Sequence, residues 1–137
     1  MKILLPVDDS ECSAAVTKSI TAQFMPQHTQ VHLLHVDEWP DERQPARDLR
    51  RRNAAALIEA AADDLRAAGF TTAASIRDGD PRHVIVAVAR EWHADLIVLG
   101  SRARNGVGRL IPGSVSDSVA SHASCSVQIV RTAAKVA

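Results

Sequence analysis

Residues 96–116 read LIVLGSRARNGVGRLIPGSVS, and this stretch decides the fold. Leu96-Ile97-Val98-Leu99 is an apolar run of strand length that meets Gly100. A strand apolar at every position, without alternation, is one covered on both faces, as in a parallel sheet between two layers of helices. Gly100 is expected to end it. Further on, Gly113 precedes Ser114, Val115 and Ser116. That pattern reads as a glycine turn feeding a helix N-terminus, where unpaired backbone N–H groups, hydroxyls and the helix dipole favour an anion. Arg102, Arg104 and Arg109 bring positive charge to the same loop. The chemistry that fits is phosphate.

Strands and helices alternate on both sides of this stretch. Lys2 to Val7, KILLPV, predicts a first strand, with Pro6 acceptable because it falls near the carboxyl end, where ladder bonding stops. Asp8-Asp9-Ser10 supplies turn and cap residues, and Val16, Ile20 and Phe24 mark an amphipathic helix ending before Pro26. Gln30 to Val36, QVHLLHV, predicts the second strand. Asp37 to Ala46, with two prolines and four acidic residues, reads as an exposed loop. Ala54, Leu57, Ile58, Ala61 and Leu65 then fall at helical spacing, with Gly69 as the left-handed residue past the end. Arg47, Arg50, Arg51 and Arg52 crowd the start of that helix and read as a solvated face in preference to a docking patch. Thr72 to Arg77 predicts a weaker third strand at an edge. Asp80-Pro81 predicts an N-cap followed by a third helix buried along Val84, Ile85, Val88 and Trp92. A fourth helix from about Ser114 to His122, a fifth strand from Ser126 to Arg131 and a frayed tail complete the chain. Five such alternations imply an α/β fold, with a parallel sheet, right-handed crossovers and helices on both faces.

The chain has 137 residues, which suits a single domain spanning 1–137. Basic and acidic residues balance at 16 each, so no overall field draws the protein to nucleic acid or to an anionic membrane. The opening MKILLPVDD lacks the apolar core of a signal peptide and no run approaches a membrane span, so a cytoplasmic location is the simplest reading. Cys12 and Cys125 are read as packing residues. The six histidines show no metal-ligand spacing, and His32 and His35, three apart on a strand, face opposite sides. His35 stands near the mouth of the expected ligand crevice. Gly106-Val107-Gly108 lacks the third glycine and acidic partner of a dinucleotide fingerprint, and no GxxxxGK[ST] exists. No nucleophile, base and orienting acid can be assembled from local motifs.

On these residues the chain resembles the universal stress protein family, whose nucleotide loop runs Gly, two residues, Gly, nine residues, Gly, then Ser or Thr. Gly100, Ala103, Gly113 and Ser114 follow that spacing, with Ala103 standing where the family has its second glycine. The VDDS segment from Val7, the GDP at Gly79 to Pro81 and the lengths of the elements extend the resemblance over nearly the whole chain. The resemblance implies a Rossmann-like open sheet of five strands in the order 3-2-1-4-5. The winding then reverses between strands 1 and 4, and ligands bind at the carboxyl ends of the strands beside such a switch point. Pro6, Val7, Asp8, Leu99 and Gly100 stand there. By resemblance, Asp8 accepts a hydrogen bond from the adenine amino group or the ribose; the alternative is a cap of the first helix, a role that Asp9 or Ser10 could fill instead, so the ligand role is preferred. Val36 matches a family position whose backbone contacts adenine, while its side chain alone reads as core. Gly100, Arg102, Ala103, Gly113, Ser114, Val115 and Ser116 match or adjoin the positions around ribose and phosphates.

The function so implied is an ATP-binding regulatory or stress-response protein, taking ATP with Mg2+, with no catalysis beyond slow ATP hydrolysis and with a regulatory protein partner not named by the sequence. The alternative is a dimeric interaction module of the same family that takes no nucleotide. Ser126 to Val130 carry no charge and no proline, an unprotected edge that two copies would cover by pairing, so a homodimer through strand 5 is expected.

Overall fold

The computed structural model describes residues 1–8, 10–38, 43–101 and 115–131. In chain order its elements are β1 (Lys2–Pro6), α1 (Ser10–Gln23), a short 3-10 turn (Pro26–His28), β2 (Gln30–Asp37), α2 (Gln44–Ala67), β3 (Thr71–Asp78), α3 (Pro81–Trp92), β4 (Leu96–Ser101), α4 (Val115–His122) and β5 (Ser126–Arg131). All strand pairs are parallel, and the five strands lie in the order β3-β2-β1-β4-β5. The α/β architecture and the reversal of winding between β1 and β4 are as the sequence and the resemblance led one to expect.

Alternation along the strands sorts the core into two layers. Ile3, Leu5, Val7, Val31, Leu33 and Val98 point to one face, where they meet Val16 and Ile20 of α1 and Ile58, Ala61, Ala62 and Leu65 of α2. Leu4, Leu34, Ile97 and Leu99 point to the other, against Ile85, Val88 and Ala89 of α3 and Val119 of α4. A central strand such as β1 must satisfy both layers at once, which is why Ile3, Leu4 and Leu5 are consecutive, apolar and at most 1% exposed. At about 25 cal/mol per Å² of apolar surface, burying each such side chain contributes roughly 1.5–3 kcal/mol.

The helix ends follow local chemistry. Asp80 caps α3, its carboxylate accepting from the Arg82 N–H at 3.0 Å, with Pro81 in the first turn. Beyond α2, Gly69 takes φ +96°, the left-handed residue foreseen there. At the end of α3 the left-handed residue is His93 (φ 58°), which composition did not signal.

Besides small extensions of β2 to Asp37 and of β3 to Thr71–Asp78, three boundaries differ from expectation. β4 does not stop at Gly100 but runs through Ser101, because β5 offers a backbone partner at each position, Gly100 opposite Val130 and Ser101 opposite Arg131. Helix α2 begins at Gln44, inside the segment read as loop, since Pro45 there is a first-turn proline and not a breaker. β1 ends at Pro6 and leaves Val7 to make a final backbone bond to β2. The frayed tail after Arg131 and residues 39–42 of the expected loop lie outside the described residues.

Candidate functional site

The crevice at the switch point originates in a proline. Lys2 O accepts from Asp95 N at 2.8 Å, so the main-chain groups of even-numbered β1 residues face β4. Pro6 is therefore the even residue that has no N–H to offer β4. The β1–β4 register comprises Ile3 with Leu96 and Leu4 with Ile97, whereas β1 stays in register with β2 as far as Pro6 and Leu34. A proline in a central strand, which alone would argue against the strand, here ends pairing on one side and leaves the carboxyl ends of β1 and β4 unlaced.

Main-chain direction on β2 defines the next wall. Leu34 O accepts from Val7 N at 2.8 Å, and Asp37 O accepts from Gly79 N at 2.9 Å. Even-numbered β2 residues thus turn their N–H and C=O toward β1, and odd-numbered ones toward β3. At Val36 those groups point past the end of β1, into the crevice. The carbonyl nearest them in the ladder, Val7 O, is engaged by the His35 ring, 2.9 Å from Nδ1. A carbonyl only accepts, so Nδ1 carries the proton.

Of the residues singled out from sequence, Val7 is buried in the α1–α2 layer, and half-buried Pro6 and exposed Asp8 follow at the end of β1. Leu99 is buried in the α3–α4 layer, and partly buried Val36 and Val115 pack against the same layer. Gly100 is half-buried on β4. Ser116 lies in the first turn of α4 and is 7% exposed. Arg102, Ala103, Gly113 and Ser114, expected from sequence around ribose and phosphates, lie outside the described residues.

Reading the arginines at the start of α2 as a solvated face missed what three of them bind. Arg50 grips Asp37 with Nε on Oδ1 (3.2 Å) and Nη2 on Oδ2 (3.3 Å), and Asp37 is 4% exposed. Arg47 pairs with Asp78 at 3.0 Å, and Arg51 holds the other oxygen of the same carboxylate. Arg52, the remaining arginine of that run, is exposed. The signal available was positional. Asp37 and Asp78 are the last residues of β2 and β3, at the strand ends beside which the first turns of α2 lie.

Elsewhere, His32 and His35 face opposite layers as expected. His32 bonds Ser75 Oγ at 2.8 Å and meets the Trp92 ring edge-on at 5.2 Å, and burial, with Arg77 nearby, lowers its pKa below 6.5. Cys125 is unpaired in the α3–α4 layer, and burial raises its thiol pKa. Among the described residues no group of three His, Cys, Asp or Glu side chains is arranged to hold a metal, and no helix is long and apolar enough to cross a membrane. A polar cavity of 490 Å³ opens among Lys2, His28, Thr71, His93 and Asp95, at the amino ends of the strands. It lies at the pole of the sheet opposite the switch point, away from Asp8 and Val36, and topology favours the crevice as the ligand site.

Comparison with known proteins agrees with this fold. Residues 1–131 match the Universal stress protein family. The universal stress protein Sll1388 of Synechocystis is 43% identical over 56 residues, a match covering 41% of this chain and 36% of that protein. The chain thus spans about a third of the length of the curated relatives it matches. The solved structure of the hypothetical protein MJ0577 superposes with a TM-score of 0.85 at 26% identity, covering 96% of this chain and 95% of that one. A universal stress protein family member from Arabidopsis thaliana, solved with AMP bound, superposes with a TM-score of 0.74 at 21% identity over 98% of this chain and 93% of its own, a likeness that speaks to the fold.

Proposed function

The chain belongs to the universal stress protein family, and from that premise we propose that it is a regulatory, stress-response protein that binds ATP with Mg2+ at the carboxyl ends of β1 and β4. The observation that carries this reading is the parting of β1 from β4 after two residue pairs, beside a strand whose Val36 N–H and C=O point into the opening. An N–H donor next to a C=O acceptor complements the adenine edge, which offers ring N1 as acceptor and the N6 amino group as donor. The apolar side chains of Val36, Leu99 and Val115 suit the flat base. Asp8 receives the adenine amino group or the ribose, and Ser116 at the head of α4, with Gly100, Arg102, Ala103, Gly113 and Ser114, surrounds ribose and phosphates. Mg2+ arrives with the triphosphate it neutralises. That AMP is held by the Arabidopsis protein of the same fold is in keeping with this assignment.

In this reading the chain is one domain acting in the cytoplasm as a homodimer through β5, with nucleotide occupancy read by a regulatory protein. It performs no chemistry beyond slow hydrolysis of bound ATP. Calorimetric titration with MgATP tests the assignment, and Asp8→Ala tests the site. A charge-assisted hydrogen bond is worth roughly 1.5–3 kcal/mol, so the variant should bind about tenfold to a hundredfold more weakly with its melting temperature unchanged. Equal affinities would remove Asp8 from the site. Absence of binding at millimolar MgATP would leave the nucleotide-free interaction module as the reading.

A further inference from the structure

The last residues of β2 and β3 are costly to keep as they are. Asp37 and Asp78 are register partners on adjacent strands, an opposition of like charges that destabilises a sheet. They are neutralised by three arginines from the first two turns of α2, Arg47, Arg50 and Arg51. A buried ion pair is a poor stabiliser beside a well-packed apolar pair, and its best-attested use is to fix one arrangement among several. What Asp37 fixes is the end of β2. Its carboxylate is forked by Arg50 of α2, and its own carbonyl is bonded to Gly79 N beyond β3. Immediately before it stands Val36, whose N–H and C=O face the crevice.

We propose that the Asp37–Arg50 pair is a positioning device for base selection, holding the Val36 peptide groups at the angle that accepts an adenine edge and refuses a guanine edge. The inference rests on the nucleotide reading given above. Adenine offers an acceptor at N1 and a donor at N6; guanine offers a donor at N1 and an acceptor at O6. The two patterns are reversed, so a peptide pair free to tilt serves either base, and one locked in place serves adenine alone. Asp37 and Arg50 touch no ligand and act through the Val36 backbone.

The test is calorimetric titration of the parent, Asp37→Asn/Arg50→Met and Arg50→Lys with MgATP and MgGTP, alongside hydrogen exchange at the Val36 amide. The double variant should lose about tenfold in ATP affinity, the worth of one backbone hydrogen bond, while GTP affinity stays the same and Val36 exchange accelerates. Arg50→Lys, which keeps the charge but not the fork, should narrow the ATP-to-GTP ratio by at least about threefold. It decides the matter if the double variant does not fold. A pair that merely stabilised the fold would lower the melting temperature and leave the ratio alone, and that result overturns the proposal. Failure of the parent to bind MgATP overturns the nucleotide reading and this inference together, whereas normal parental binding with an unchanged ratio in the variants overturns the positioning role only.

Discussion

Replacing Gly79 by alanine should be among the most damaging single-methyl changes available in this chain. Gly79 joins β3 to the capped start of α3 with φ +135°, a conformation that L side chains rarely adopt, and a Cβ built there would lie 3.0 Å from Val84 Cγ2. Backbone strain of this kind costs on the order of 1–3 kcal/mol. The methyl contact adds to it unless Val84, itself packed in the α3–α4 layer, gives way. We take roughly 2–3 kcal/mol as the sum. With an unfolding entropy of about 2.1 cal/mol/K per residue, a chain of 137 residues loses roughly 7–10 °C in melting temperature. The assay is thermal unfolding followed by circular dichroism, with two companions. Gly79→Ala/Val84→Ala relieves the contact but not the strain, so on the Gly79→Ala background the second change should cost less than Val84→Ala does alone. Gly69→Ala, at φ +96° and with 3.3 Å to Pro26 Cβ, keeps the strain but meets a looser contact, and should cost less than Gly79→Ala. A melting temperature within about 2 °C of the parent for Gly79→Ala would refute the reasoning, because strain at positive φ alone exceeds that.

Three further outcomes are expected. Ile129→Lys puts a charge on β5, the sheet edge through which the dimer is proposed to form, and should give monomers in sedimentation velocity; an unchanged dimer would reject that interface. Because burial holds the His32 pKa below 6.5, the unfolded chain binds the extra proton first; stability should be full above pH 6.5 and fall as pH drops through the interval between 6.5 and the lower folded value, a slope that His32→Gln should flatten in denaturant titrations. Ala103→Gly, which puts the family glycine at that position, should tighten MgATP binding several-fold in calorimetry if the glycine serves a positive φ, where a non-glycine residue costs roughly 1–2 kcal/mol, or a close approach of backbone to phosphate; equal affinities would mean the methyl is tolerated.

Much of the fold was legible because its signals are local. The LIVL run announced a strand covered on both faces, and Ile97, Val98 and Leu99 are indeed buried. Asp80-Pro81 and Gly69 announced helix ends by chemistry that acts within a few residues. What the sequence concealed was set by neighbours distant in the chain. Gly100 reads as a strand breaker until β5 is present to pair with it. The α2 arginines read as solvated until the ends of β2 and β3 bring Asp37 and Asp78 beneath them, 13 residues and 31 residues away along the chain for the Arg50 and Arg47 bonds. The direction of the Val36 peptide groups depends on register parity, which no residue type encodes. Among the site residues, Val36, Leu99, Val115 and Ser116 could be located from the strand and helix that carry them, whereas the role of His35 at Val7 O required the two strand ends to be in place.

The brevity of the β1–β4 register bears on mechanics as well as on ligand access. Hydrogen bonding divides the sheet into a three-strand ribbon, β3-β2-β1, and a two-strand ribbon, β4-β5, joined by the short register at Ile3 and Leu4 and by the bonds between Lys2 and Asp95 just before it. Across that joint the ribbons are held mainly by side chains, with Val98 set in one apolar layer and Leu4 and Ile97 in the other. Such a joint resists separation yet tolerates a change of angle, because dispersion contacts survive small rotations that would break a ladder of directed bonds. The β5 edge is thus tied to the first three strands by few directed bonds, so a change of angle at this joint would cost less backbone bonding than one at the longer β1–β2 or β2–β3 ladders.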